Sequence, residues 1–259
     1  WTITSIVLVF VILFIIYALY IIFSQNSISK VQRDFINNMT HEFKTPISTI
    51  SVIQQVISNP EIIQHPKRLF TYNQIIGEEI NRLNDQVEKV LQISRLEKKQ
   101  IELQMENFDS HEVIEQCIFN FEHVNFEKQV IFEKQLEAIN TNINADQLHF
   151  TNVINNIIEN AIKYSGEVVH IKITTQNTTN QKLLIIISDD GHGINKRLRK
   201  KIFEKFYRIT EDNTHNVKGF GLGLFYVRQI AIAHQWEIDV ESEPNVGTKF
   251  IICTPQKSK

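Results

Sequence analysis

Four clusters of side chains in this sequence have the types and spacing to handle a phosphoryl group. The first is His41-Glu42-Phe43-Lys44-Thr45-Pro46. An imidazole is nucleophilic through a free ring nitrogen, and an adjacent carboxylate such as Glu42 can hold the other nitrogen. On a helix Thr45 lies one turn beyond His41, so its hydroxyl shares that face. Pro46 cannot donate to the carbonyl of Glu42, which weakens a helix at the histidine's turn. The second cluster is Asn152, Asn156 and Asn160, four apart and therefore on one helical face. Asparagine is a poor helix former, so three of them on an otherwise apolar helix point to a use. Amide oxygens suit Mg²⁺, which bridges to phosphates, and Lys163 follows within reach of a phosphate oxygen.

The third cluster is Asp189-Asp190-Gly191-His192-Gly193, directly after an apolar run. A carboxylate at a strand end can accept a hydrogen bond from an adenine amino group, and the glycines let the backbone approach a flat base. A calcium loop would need alternating acidic ligands, which do not follow. The fourth cluster is Gly219-Phe220-Gly221-Leu222-Gly223-Leu224, whose N–H groups could hold phosphates where a helix begins. Its spacing fits neither a dinucleotide fingerprint nor a P-loop. The polar stretch 210–218 before it reads as a lid over nucleotide.

These residues need elements to hold them. Ile28, Val31, Phe35 and Met39, then Ile47, Ile50, Ile53 and Ile57, recur at helical intervals and predict one long helix ending near Asn59-Pro60. A second long helix is expected from about Pro66, with Ile76, Ile80, Leu83, Val87 and Val90 spaced as in a bundle seam. Two such helices cannot bury a core alone, so a homodimeric four-helix bundle is expected. From Phe108 onward helical stretches alternate with short strands, at Val168, Leu183 and Thr248. The Leu183 strand is apolar throughout, as a central strand is. Asp146 is placed to cap a helix running to Tyr164. The fold class is thus α+β, with expected domains at 1–24, 25–106 and 107–259.

From Ile6 to Phe23 the chain is almost purely apolar, and 18 helical residues span about 27 Å, near the thickness of a bilayer core. A transmembrane helix is expected at 1–24, with Lys30 and Arg33 marking a cytoplasmic C-terminal side. The chain begins with Trp1, as a fragment would. The 259 residues carry a formal net charge of -2, so no basic excess points to nucleic acid. Cys117 and Cys253 stand far apart, and two reduced thiols are expected.

Taken in order, the clusters resemble the boxes of a sensor histidine kinase. His41 to Pro46 resembles the H-box and Asn156 to Ser165 the N-box. Asp189 to Gly193, Phe203 to Arg208 and Gly219 to Leu224 resemble the G1, F and G2 boxes, and Gly247-Thr248 the last glycine motif. The resemblance implies a phosphotransfer bundle followed by a Bergerat-type α/β sandwich that binds ATP. It implies Asn160 as Mg²⁺ ligand with Asn156 beside it, and Lys163 and Tyr164 at the phosphates. Asp189, with Gly191, Gly193 and Thr248, would hold adenine. Gly219, Gly221, Gly223 and Leu224 would border the triphosphate, Arg208 would stabilise the transferred phosphoryl group, and Phe206 and Leu222 would belong to the same nucleotide site. His41 would be the phosphoacceptor, Glu42 its base or orienting group, and Thr45 the residue that orients water in the reverse reaction. A response-regulator receiver domain is the implied partner, and the inner membrane the implied location. No separate signalling module fits between Phe23 and Phe35. Asp190 stands where many members have asparagine. A related ATPase with another output would lack the histidine-bearing bundle, and an inert receptor scaffold would have lost these residues.

Overall fold

The computed structural model describes residues 2–97, 102–124, 126, 128–209 and 220–255; the side chains of 2, 4, 9, 20–31, 34, 89 and 92–97 also lie outside the description. The chain divides into two compact units, Trp1–Leu83 and Asn84–Lys259.

Helix α1, Thr2–Ile57, contains no glycine and a single internal proline, Pro46. It ends before a 3₁₀ turn, Pro60–Gln64, whose first free N–H is capped by the Asn59 side chain at 3.1 Å. Helix α2, Pro66–Glu97, then starts on Pro66, where a missing N–H costs nothing. Both ends match the expectation. Pro46, Ile53 and Ile62 are buried in this unit. The seam expected on α2 is only partly covered. Ile76, Leu83 and Val90 are half-buried, whereas Ile80 and Val87 remain 46% and 47% exposed. Among the described residues no helix is long and apolar enough to cross a membrane. The helix expected at 1–24 therefore finds no support there; it also runs into side chains outside the description.

The second unit is α+β. Strand β1, Glu106–Asp109, leads into α3, Ser110–Glu122, capped by Asp109. β2 is Gln129–Leu136 and β3 is Asn142–Ala145. α4, Gln147–Lys163, is followed by β4, Val168–Asn177, and β5, Leu183–Asp189. α5 is Gly223–Ala233, β6 Glu237–Glu243 and β7 Gly247–Cys253. β1 and β3 pair as a small antiparallel ribbon, and the main sheet has the order β2-β4-β5-β7-β6. Only β2 and β4 run parallel.

The helices cover one face of the main sheet. Phe150, Ile154 and Ile158 of α4 are fully buried with Ile171 and Ile173 of β4, and Ile185 and Ile187 of β5. β5 is central, as its apolar sequence predicts, but only Leu183, Ile185 and Ile187 are buried. Its alternate residues are half-covered, because among the described residues no second layer closes the other face. Cys117 is buried and Cys253 half-buried, and both are unpaired.

Candidate functional site

The site in the second unit is built on α4. Asp146 caps the helix by accepting from the His149 N–H at 3.0 Å. The Ile and Val positions turn into the core, which leaves Asn152, Asn156 and Asn160 half-buried on the other side. Each makes a contact that fixes its amide. Asn156 Nδ2 donates to the Asn152 carbonyl at 2.7 Å, and Asn160 Nδ2 to the Asn156 carbonyl at 2.8 Å. A carbonyl only accepts, so these amides present nitrogen to the helix and oxygen away from it. Asn156 Oδ1 lies 2.6 Å from where a Cβ on Gly223 would stand. Glycine there lets the start of α5 approach the asparagine face. Two outward amide oxygens a helical turn apart are hard donors of the kind Mg²⁺ takes, so these residues fit that ion.

α5 begins at Gly223 with Leu222 as its cap residue and no side chain to satisfy its first N–H groups. Such a helix start offers donors to an anion. Gly221 before it has φ +67°, and a Cβ would meet the Tyr207 carbonyl at 2.8 Å. Only glycine suits both demands. The carbonyl of Gly221 accepts from the Phe206 N–H at 3.0 Å, which ties the Phe203–Arg208 segment to the glycine segment. Phe206 itself has φ +67°, and Lys205 Nζ lies 4.4 Å from its ring centre. Leu224 is half-buried in the first turn of α5. Gly219 and the expected lid at 210–218 lie outside the described residues.

Lys163 and Tyr164 finish α4, with Lys163 Nζ 5.6 Å from the Tyr164 ring centre. Burial raises the Tyr164 hydroxyl's pKa, while the charge of Arg208 opposes the rise. Arg208 therefore acts on the same corner as Tyr164. The Tyr164 carbonyl accepts from the His192 N–H at 3.1 Å, which joins α4 to the turn after β5.

That turn holds Asp189. Its carboxylate accepts from the N–H groups of Gly191, at 2.9 Å, and Thr248. Burial nevertheless pushes its pKa up to about 6; the two donors oppose the rise and Asp190 adds to it. Thr248 is buried and pairs in register with Asp189. A side chain on Gly191 would collide with Ser165 Oγ, Asp189 Oδ1 and the Tyr164 carbonyl, all within 2.8 Å. Gly193 closes the turn against Glu243.

The structure thus gathers Asn156, Asn160, Lys163, Tyr164, Phe206, Arg208 and Gly221 to Leu224 around the ends of α4 and α5. Asp189, Gly191, Gly193 and Thr248 form the adjoining corner. Sequence reasoning missed Tyr226 and His149. The buried Tyr226 hydroxyl lies 2.7 Å from His149 Nδ1 and 3.4 Å from Asn152 Nδ2, pinning α5 to α4. Burial raises its pKa to about 12, so it stays protonated. The two helices are far apart in sequence, so no spacing reveals the contact.

His41, Glu42 and Thr45 lie on α1 in the first unit. His41 is exposed and Glu42 half-buried. Among the described residues, no side-chain hydrogen bond joins His41 to Glu42. Successive helical residues point about 100° apart, so adjacency in sequence does not bring a carboxylate onto the ring. The orienting contact expected of Glu42 is therefore absent there. Thr45 does lie one turn on, with its hydroxyl donating to the His41 carbonyl at 3.3 Å. Among the described residues, no three His, Cys, Asp or Glu side chains gather to hold a metal.

Two family models match. The His Kinase A phospho-acceptor domain covers residues 31–99, and the histidine kinase-, DNA gyrase B- and HSP90-like ATPase covers 145–258. The chain is 45% identical over 242 residues to the sensor protein RprX of Bacteroides fragilis, covering 93% of this chain and 46% of that protein. It is 28% identical to the sensor histidine kinase WalK of Bacillus subtilis, covering 95% of this chain and 40% of that one. It therefore spans less than half the length of these curated relatives. Its fold is similar to histidine kinase ThkA solved in complex with response regulator protein TrrA. There the TM-score is 0.57 and the identity 25%, covering 85% of this chain and 60% of that one.

Proposed function

Since the chain belongs to the sensor histidine kinases, we propose that it moves the γ-phosphoryl group of ATP to His41 and on to an aspartate of a response regulator. In this reading 25–106 is the dimerisation and phosphotransfer domain and 107–259 the ATP-binding domain. The observation that carries it is the asparagine face: Asn156 and Asn160 have their nitrogens tied to helix carbonyls, which turns their oxygens away from the helix. Asn156 and Asn160 would hold Mg²⁺ there, and the ion would neutralise phosphate charge.

The chain's own residues do the rest. Asp189 accepts from the adenine amino group, with Gly191, Gly193 and Thr248 shaping the slot around it. Lys163, Tyr164, Phe206, Arg208 and the Gly219 to Leu224 segment border the phosphates. A ring nitrogen of His41 forms a bond to the γ-phosphorus as the bond to the bridging oxygen breaks, and ADP leaves. Glu42 takes or orients the imidazole proton once the turn at Pro46 rearranges. Thr45 orients water when the regulator is dephosphorylated. Positioning and charge neutralisation supply most of such catalysis.

Two further parts of the reading concern assembly. The half-covered stripe on α2 supports a homodimer. The exposed side chains of Leu8, Phe10 and Phe14 on α1 support burial of that end in the inner membrane. The deciding experiment incubates the protein with labelled ATP and Mg²⁺. An acid-labile, base-stable phosphoryl group is expected on the wild type and none on His41→Gln; persistent label on the variant would refute the assignment.

A further inference from the structure

α4 brings three proposed nucleotide contacts, Asn160, Lys163 and Tyr164, to its last turn. That end of a helix is electrically awkward for the purpose. Its last carbonyls lack helical partners and carry a partial negative charge, yet a polyphosphate has to sit beside them. Some of these carbonyls have local donors. Asn160 accepts from the Tyr164 N–H, and Tyr164 accepts from His192.

The Ala161 carbonyl accepts from Ser165 Oγ at 2.7 Å, and those of Ile162, Lys163 and Ser165 are met by a residue from outside every motif. Lys128 Nζ donates to the carbonyls of Ile162, at 2.7 Å, and Ser165, at 2.8 Å, and lies 3.4 Å from that of Lys163. Its ammonium group has three protons, and three carbonyls of one helix end surround it. The next residue is fastened to the same place, since the Gln129 N–H donates to the Glu167 carbonyl at 2.9 Å. Lys128 lies just before β2, an edge strand of the sheet. Its contacts at the end of α4 are to backbone carbonyls, not to the side chains proposed to meet ligand.

We infer that Lys128 positions the last turn of α4 for the phosphates and screens its carbonyls from them. The inference rests on the ATP reading above and adds a residue that acts through that turn without touching nucleotide. A residue acting in this way affects the charged part of the ligand. Adenine, held at Asp189, is insensitive to it. A lysine needed only for folding would weaken every ligand alike.

The test measures binding of ATP, ADP and adenosine, with Mg²⁺, to the full chain and to Lys128→Gln and Lys128→Arg. Glutamine keeps an amide donor and removes the charge; arginine keeps both. Lys128→Gln should bind ATP about tenfold more weakly, ADP less affected, and adenosine within about twofold of wild type. Lys128→Arg should restore most of the ATP affinity. Equal losses for all three ligands, unchanged ATP binding, or a Lys128→Gln protein that no longer folds would each overturn the inference. Wild-type protein that binds adenosine and ATP equally would instead overturn the phosphate-site reading, and this inference with it.

Discussion

A carboxylate that reads a base has to stay ionised where the surroundings resist ionisation. Asp189, proposed to read adenine, is in that position, with a pKa raised by burial to about 6 against an ordinary 3.8. A raised acid pKa means the charged form is disfavoured by the fold. The stability this group allows is fully present below pH 3.8 and is lost as pH rises through about 6. Asp189→Asn should therefore melt above wild type at pH 7.5, with the gap closing toward pH 4; thermal melts at the two pH values check it. The same variant should bind ATP about ten- to a hundredfold more weakly, the range for losing a hydrogen bond to a charged group. Wild-type affinity should itself fall as pH drops below about 6, which a binding titration would show. A variant no more stable at neutral pH would mean that Asp189 is not held against its preference. At this scale the sequence was readable where chemistry repeats at helical spacing, as in Asn152, Asn156 and Asn160. At Glu42 adjacency suggested a contact with His41 that the helix as described does not make. It was silent on Lys128 and Tyr226, whose partners lie 34 or more residues away.

The helix that bears His41 has a weakened hydrogen-bond ladder along its middle. Pro46 leaves the Glu42 carbonyl without its helical donor. Around it the hydroxyls of Thr40, Thr45, Thr49 and Ser51 each donate to the carbonyl four residues back. Such back-bonding competes with the helix ladder and favours bending. One soft turn was visible from Pro46 alone, but the run of four hydroxyls widens it to most of 36–51. A proline inside a helix costs roughly 3 kcal/mol relative to alanine. Pro46→Ala should thus raise the melting temperature of the helical unit and slow labelling of His41 while leaving ATP binding unchanged. Labelling at the wild-type rate would show that Glu42 and His41 need no bend to cooperate. The strands divide by the same logic. Val168, Leu183 and Thr248 begin runs that are apolar or alternating, and these became β4, β5 and β7. β1 and β3 have four residues each and little hydrophobic pattern, so pairing with each other defines them.

At the scale of the whole molecule, the α2 stripe states what the single chain lacks. Ile76, Leu83 and Val90 are half-covered, while Ile80, Val87 and Leu91 are 46%, 47% and 45% exposed. The two sets lie on neighbouring edges of one helix face, so cover for the first leaves the second open. Gly77, on the open edge, has nothing within 4 Å of where its Cβ would be. A second copy offers the same stripe in return, which is what a two-fold interface requires. Burying the rest of each of these side chains is worth about 1 kcal/mol, and six of them across a dimer add to several. Ile80→Asp combined with Val87→Asp places like charges where the two stripes would meet. The wild type is expected to sediment as a dimer and the double variant as a folded monomer. ATP binding to the monomer should match wild type, because every proposed nucleotide contact comes from 156 to 248 of one chain. Loss of ATP binding together with dimerisation would mean that the ATP site is not complete within a single copy.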